Sequence, residues 1–283
     1  MTEADLAALR AEEGARVVER QGRYWVETFR GFYQPIHQLA RLSWTEVARP
    51  TLGCWGYRAV LAERDAGRAN GMYPVHLLED VTTFTESALE ESRRRDLRRC
   101  RSQVEIIRAR DAEPFLRAGW TVYQSAMERI GGPRYGSRRA YEQAIVMRCQ
   151  DPRRLIIAGF IDGRLAGYLE SYAVAGILYG RDLLVATEYA KSGIATGLYV
   201  ETMRIGAQSG AVESLCLGPV IQDHPGLGWF TKTLGVPAVE VPTRVEIPRP
   251  IREFMRWRRP AVYFRITGGS SGPGGARRPA GTG

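Results

Sequence analysis

Lys191-Ser192-Gly193-Ile194-Ala195-Thr196-Gly197 is the stretch of this chain whose residue types could do chemistry together. Its small residues and two glycines allow a backbone to come close to a ligand. A β-rich run, Leu183–Thr187, precedes it, and an amphipathic helix follows to Ser209-Gly210. A strand, a tight loop and a helix start aim several unbonded backbone N–H groups at one place, and the helix dipole adds positive potential there. Such a place suits a diphosphate, with Lys191 as a cation beside it. The alternative is an ordinary strand-to-helix turn whose glycines serve packing.

A second group of residues could move protons. Along Arg164–Val174, strand alternation puts Tyr168, Glu170 and Tyr172 on one face and Leu165 and Leu169 on the other. Acylation of an amine needs a base for the attacking ammonium and an acid for the leaving group. Glu170, between two tyrosines, is the candidate base, or else a charge on a half-exposed sheet. On the next strand, alternation gives Tyr179 and Arg181 one face and Asp182 the other. Tyr179 is the candidate acid, or an aromatic packing on the sheet. His224, in Asp223-His224-Pro225, is a candidate base or else part of a turn and helix cap. Arg181 and Lys232 could meet phosphate or an acidic substrate. His37 and His76 stand singly among apolar neighbours and read as structural.

The elements that must hold these residues follow from pattern. Residues 3–20 read as a charged helix, and 22–60 as short aromatic-rich elements broken by Pro35, Pro50 and Gly53. Tyr57–Glu63 and Pro74–Glu79 read as strands. A basic helix runs through Arg93–Arg101, and Val104–Arg108 reads as a strand. Helices are expected over Ala112–Arg129 and Ser137–Cys149. The clearest hairpin joins Leu155–Ile161 to Arg164–Val174 through Asp162-Gly163, a pair that favours a type I′ turn. Ala175-Gly176 turns the chain into Ile177–Thr187. Val212–Leu217 is a strand and Pro225–Leu234 a short helix, with Ala238–Val245 and Val262–Thr267 as final strands.

Composition narrows the classes. The 283 residues are 44% hydrophobic, enough for a sizeable core, and hold no apolar run long enough to span a membrane. The acidic start, Met1-Thr2-Glu3-Ala4-Asp5, is unlike a secretory signal. Four scattered cysteines lack metal-binding spacing, which points to reduced thiols, no metal and a cytoplasmic location. Net charge is +9, yet only Lys191 and Lys232 are lysines among 40 basic residues. That charge reads as an arginine-rich solvated surface rather than as a nucleic-acid site.

The order of helix pair, hairpin, strand, glycine loop, helix and strand resembles the GNAT N-acetyltransferase fold. That fold is a mixed, mostly antiparallel sheet flanked by helices. The loop is similar to that family's Arg/Gln-x-x-Gly-x-Gly/Ala motif. Gly193 and Ala195 fall at its small positions, while Ala190 stands where Arg or Gln belongs. The Arg93–Arg101 helix and the segment Gly226–Gly235, with Phe230 and Lys232, resemble Fem-type aminoacyltransferases and their single-chain acetyltransferase relatives. The resemblance covers about residues 85–267. It leaves 1–84 as a reduced half or cap and 268–283 as a disordered tail.

The resemblance implies an acetyl-CoA or other acyl-CoA donor with its pantetheine arm along Leu184 and Val185. The pyrophosphate would rest on Lys191, Ser192, Gly193, Ala195, Thr196 and Gly197. An amine on a small molecule or peptide would attack directly, with Glu170 as base and Tyr179 as acid. Two alternatives stand beside this. One is an aminoacyl-tRNA donor bound by the Arg93–Arg101 helix. The other is a binding protein of the same fold with no turnover.

Overall fold

The computed structural model describes residues 1–131 and 135–269, so the tail expected over 268–283 lies outside the described residues from 270 onward. The chain divides into two compact units. One comprises Met1–His76, Pro219–Gly228 and the chain from Ala238 onward; the other comprises Leu77–Gly218 and Trp229–Pro237. The division differs from a single cut at residue 84, because the last strand belongs with the N-terminal strands.

In the first unit, α1 (Glu3–Glu12) opens with a capping box. The Thr2 hydroxyl accepts from the Asp5 amide at 3.1 Å, and the Asp5 carboxylate accepts from the Thr2 amide at 2.9 Å. The helix expected over 3–20 stops early at Gly14, whose φ of 82° ends it. Val17 and Val18 then enter a strand, β1 (Val17–Arg20). The strands β2 (Arg23–Phe29), β3 (Phe32–Pro35), β4 (Gly56–Val60) and β5 (Gly71–Leu78) follow in sequence. The late strand β11 (Ala238–Glu246) pairs antiparallel with both β4 and β5. Then come α7 (Arg249–Arg258) and α8 (Pro260–Thr267). The strand expected at Val262–Thr267 is therefore helical, started by Pro260 at its first position, where the missing N–H is harmless.

The second unit carries the candidate site. It begins with α2 (Glu91–Gln103), β6 (Glu105–Ala109), a π-helical turn at Phe115–Gly119, α3 (Trp120–Ile130) and α4 (Arg138–Gln150). It continues through β7 (Arg154–Ile161), β8 (Arg164–Val174), β9 (Ile177–Val185), α5 (Ile194–Gln208) and β10 (Ser214–Pro219). α6 (Pro225–Thr233) ends in this unit. The strands lie in the order β10-β9-β8-β7-β6, all neighbours antiparallel except β9 and β10. This is the mixed, mostly antiparallel, helix-flanked arrangement expected of a GNAT-like fold.

Two tight turns fix the central meander. Asp162 and Gly163 have φ of 49° and 72°, and Ala175 and Gly176 have 46° and 78°. Both central residues left-handed is the type I′ signature, whose twist matches the flanking strands. β8 is covered on both faces. On one, Ile157, Leu169 and Leu178 meet Leu97, Cys100, Leu198 and Met203 of α2 and α5. On the other, Ile156, Tyr168 and Leu184 meet Phe115, Tyr123 and Tyr141. Leu165 joins Tyr168 on this second face instead of Leu169, because a bulge between Gly159 and Phe160 leaves Ala166 as an extra residue and resets the alternation.

α2 and α5 approach closely at Gly197, where an added Cβ would run into the Cys100 sulfur and come within 2.9 Å of Ile106 Cδ1. Gly197→Ala should destabilise the chain by about 1–3 kcal/mol through overpacking. Urea unfolding would measure this, and Cys100→Ala in the same background should restore part of the loss.

Candidate functional site

The site is built around an irregularity in β9. Glu170 of β8 pairs with Asp182, but the next residue, Ser171, pairs with Gly180, so Arg181 is the extra residue of a bulge. β9 and β10 pair only at Ile177, Leu178 and Tyr179, facing Ser214, Leu215 and Cys216. Past Tyr179 the two parallel strands share no further rungs. A bulge sharpens local twist and ends regular pairing, and here it begins where the strands part. Beyond that rung lie half-buried Arg181 and Leu183 on β9 and half-buried Leu217 and Gly218 on β10, with the Leu217 side chain against Gly180.

The bulge also corrects the expected faces. Arg181 and Asp182 do not point to opposite sides. Arg181 lies 3.8 Å from Glu170 and 3.7 Å from Asp182, in one polar cluster. Arg148 of α4 bonds Glu170 at 2.8 Å and lies 3.8 Å from Asp182. Arg154 at the start of β7 bonds the other Glu170 oxygen. Glu170 is only 1% exposed, so it sits beneath guanidinium groups and away from solvent. The network runs on from Arg154 to Asp151 at 3.7 Å and from Asp151 to Arg153 at 2.9 Å. Tyr172 and Tyr179 stack beside the cluster with ring centroids 5.4 Å apart. Tyr179 is buried at the last rung before the strands separate.

Arg148, Arg154 and Asp182 were not singled out from sequence. They lie on three separate elements and converge only once the register is known, with Ile156 opposite Glu170 and Arg154 opposite Tyr172. The Asp162-Gly163 turn carried part of that signal, since an I′ hairpin counted back from it brings Arg154 near Glu170.

The glycine loop is positioned as expected but not open. Gly193, with φ of 82°, caps α5, and an added Cβ there would collide with the Asp96 backbone of α2. The Ser192 amide donates to Tyr189 O at 3.0 Å, and the Ile194 amide to Ser192 Oγ at 3.2 Å. From α2, Arg99 reaches Lys191 O at 2.9 Å and Gln103 reaches Ser192 O at 3.2 Å. Arg93 extends to 3.5 Å from the Thr196 hydroxyl, pairs with Asp96 at 3.0 Å and lies over the Trp229 and Phe230 rings. Ser192 and Thr196 are buried, Ala195 is half-buried, and Lys191 is exposed at the lip. Leu184 and Val185, at the end of β9, are buried in the two opposite cores. Arg129 holds Val185 O at 2.9 Å.

Beyond β9 a cavity of about 410 Å³ lies among the π-helical turn, the Asp162-Gly163 hairpin end and residues 186–189. Val122, Phe160 and Leu165 give it apolar walls, while Glu113, Arg164 and Glu188 supply charge. No motif marks these residues in the sequence. Lys232 and His224 are exposed. His37 is buried 3.7 Å from Glu3, and His76 is buried too. Among the described residues no cluster could hold a metal ion.

No family model matches this chain, and no curated protein does. Solved structures do. The C-terminal domain of a protein described as a lysylphosphatidylglycerol synthetase from Agrobacterium fabrum aligns over 96% of this chain and 99% of its own, at 11% identity and TM-score 0.58. L-PGS from Bacillus licheniformis aligns over 93% and 96%, at 12% identity and TM-score 0.57. At such identities the likeness is one of fold. An aminoglycoside acetyltransferase from a soil metagenome covers 47% of this chain and 89% of its own at 16% identity, and its TM-score of 0.39 is too low to carry an argument.

The cluster yields a direct test. Glu170→Gln keeps the shape but leaves buried guanidinium charge unbalanced, and should cost about 3–5 kcal/mol in urea unfolding. A proton-accepting role alone would instead abolish turnover with the unfolding midpoint unchanged.

Proposed function

We propose that this chain is an aminoacyltransferase, taking an amino acid from the ester of an aminoacyl-tRNA and passing it to an acceptor nucleophile. The observation that carries this reading is the roof that α2 forms over the glycine loop. Gly193 lies against the Asp96 backbone, and the Ser192 and Ile194 amides are already bonded. A diphosphate needs those donors and that space. A tRNA ester needs neither, because its phosphates can meet guanidinium groups farther out. On α2, Arg95, Arg98, Arg99 and Arg101 remain exposed for such contacts. The full-length likeness to a protein described as a lysylphosphatidylglycerol synthetase domain accords with aminoacyl transfer.

In this reading the ester carbonyl lies where β9 and β10 part, beside Arg181. The acceptor's N–H or O–H attacks the carbonyl carbon, and the C–O bond to the ribose breaks. Tyr179 gives its phenolic proton to the released ribose oxygen and takes the acceptor's proton in exchange, so the net transfer runs from acceptor to ribose. The Arg181 guanidinium stabilises the oxyanion, as a preorganised cation does best where water is excluded. Glu170 then acts as a positioning residue. It holds Arg148 and Arg154 in place and lies 3.8 Å from Arg181, so that the guanidinium beside the carbonyl is kept in register.

An acyl-CoA donor is the second reading, favoured by the parting of β9 from β10 and by exposed Lys191 at the loop. Here the pantetheine arm would follow β9 past Leu184 and Val185. The diphosphate would take the loop of Lys191, Ser192, Gly193, Ala195, Thr196 and Gly197 after α2 moves aside.

The two donors separate in one pair of measurements. Charged tRNA should bind and weaken at least about tenfold between about 50 and 200 mM salt, through release of counterions from the contacted phosphates. Arg95→Glu with Arg98→Glu should flatten that dependence. CoA and acetyl-CoA should leave the melting temperature unchanged. A rise of several degrees with CoA, by ordinary binding linkage, would move the assignment to the second reading.

A further inference from the structure

We infer that α7 is an interfacial anchor that docks the chain onto the surface of an anionic lipid bilayer. The inference starts from an apolar face that the first unit does not bury. α7 turns Ile251 and Met255 inward against Phe32, Val245 and Ile266. At the same time it leaves Phe254 57% and Trp257 71% exposed. These two lie three residues apart, on one side of the helix with exposed Pro250. Large aromatic side chains left in water at that spacing signal a face that meets something.

Charge says what that something is. Residues 249–259 hold five arginines, Arg249, Arg252, Arg256, Arg258 and Arg259, against one acid, Glu253. Glu253 lies 3.5 Å from Arg256, and the Arg258 guanidinium lies 4.0 Å over the Trp257 ring. A short helix with exposed Trp and Phe flanked by arginines matches the boundary between lipid headgroups and acyl chains. Aromatic rings sit there at headgroup depth while guanidinium groups meet phosphates. No described helix is long and apolar enough to cross a membrane, so the contact is one of lying on the surface.

Other occupants fit less well. A second copy would bring the same five arginines against themselves. Residues 270–283 contain no Leu, Ile, Val, Met or aromatic side chain, so this stretch cannot supply an apolar complement; its Arg277 and Arg278 add to the basic charge. Phe29, itself partly exposed, contacts Phe32 at 6.3 Å between ring centroids, which ties a second aromatic to the cluster beneath α7.

The docking stands apart from the choice of donor, and its test uses variants outside the proposed transfer site. The full chain is floated with vesicles of equal parts phosphatidylglycerol and phosphatidylcholine, and with phosphatidylcholine alone. Binding should occur to the anionic vesicles only. It should weaken at least about tenfold in Phe254→Ser/Trp257→Ser, and likewise in about 0.5 M salt. The double variant should keep its melting temperature and its tRNA binding, so loss of lipid binding is not loss of fold. Equal binding to both vesicle types, no binding, or binding untouched by the double variant would overturn the inference. A dimer in sedimentation that the variant dissociates would assign the face to a second copy instead.

Discussion

The extra residue in β9 governs the geometry of the candidate site. With regular alternation, Arg181 and Asp182 would project to opposite sides of the sheet, and β9 would keep step with β10. The bulge at Arg181 instead gathers both side chains beside Glu170, and β9 stops pairing with β10 after Tyr179. One backbone irregularity thus coincides with the end of the β9–β10 ladder and gathers charge beside it. Bulges are sparsely used and locally unfavourable to a ladder, which makes one beside a charged cluster a feature with a purpose.

The cluster itself is a compromise. Burying Glu170 and Asp182 would be prohibitive without the three guanidinium groups around them, and those would be prohibitive without the carboxylates. The five partners come from four elements, α4, β7, β8 and β9, with Arg181 and Asp182 both on β9. The balance therefore holds only when the meander and α4 are docked together. Such a network adds little net stability, but it fixes the position of the one partner nearest the end of that ladder, Arg181.

Much of the second unit was legible in the sequence. Asp162-Gly163 and Ala175-Gly176 announced the meander because left-handed backbone at two successive positions tolerates few residue pairs. The loop and helix at Gly193–Gln208 were legible for a similar reason. What was not legible depended on long-range packing. Nothing local shows that α2 would cover the loop, turning glycines expected to face a ligand toward Asp96 and Cys100. The two bulges were equally silent, and each reversed an expected face, at Leu165 and at Asp182. In the first unit, Val17 and Val18 read as helix by pattern, and Gly14 ended that helix so that they enter a strand. At Val262–Thr267 the apolar run read as a strand until Pro260 started a helix.

The place of β11 has a bearing on how the chain is made. Within the first unit it lies between β4 and β5, bonded to both, yet it leaves the ribosome some 160 residues after β5. The second unit is encoded almost entirely in that interval and can close while synthesis continues. Until Ala238–Glu246 emerges, β4 and β5 each present a bare edge, the kind of template on which nascent chains aggregate. Limited proteolysis of ribosome-bound chains of increasing length would show the inner unit resisting cleavage first and the outer one only at the end.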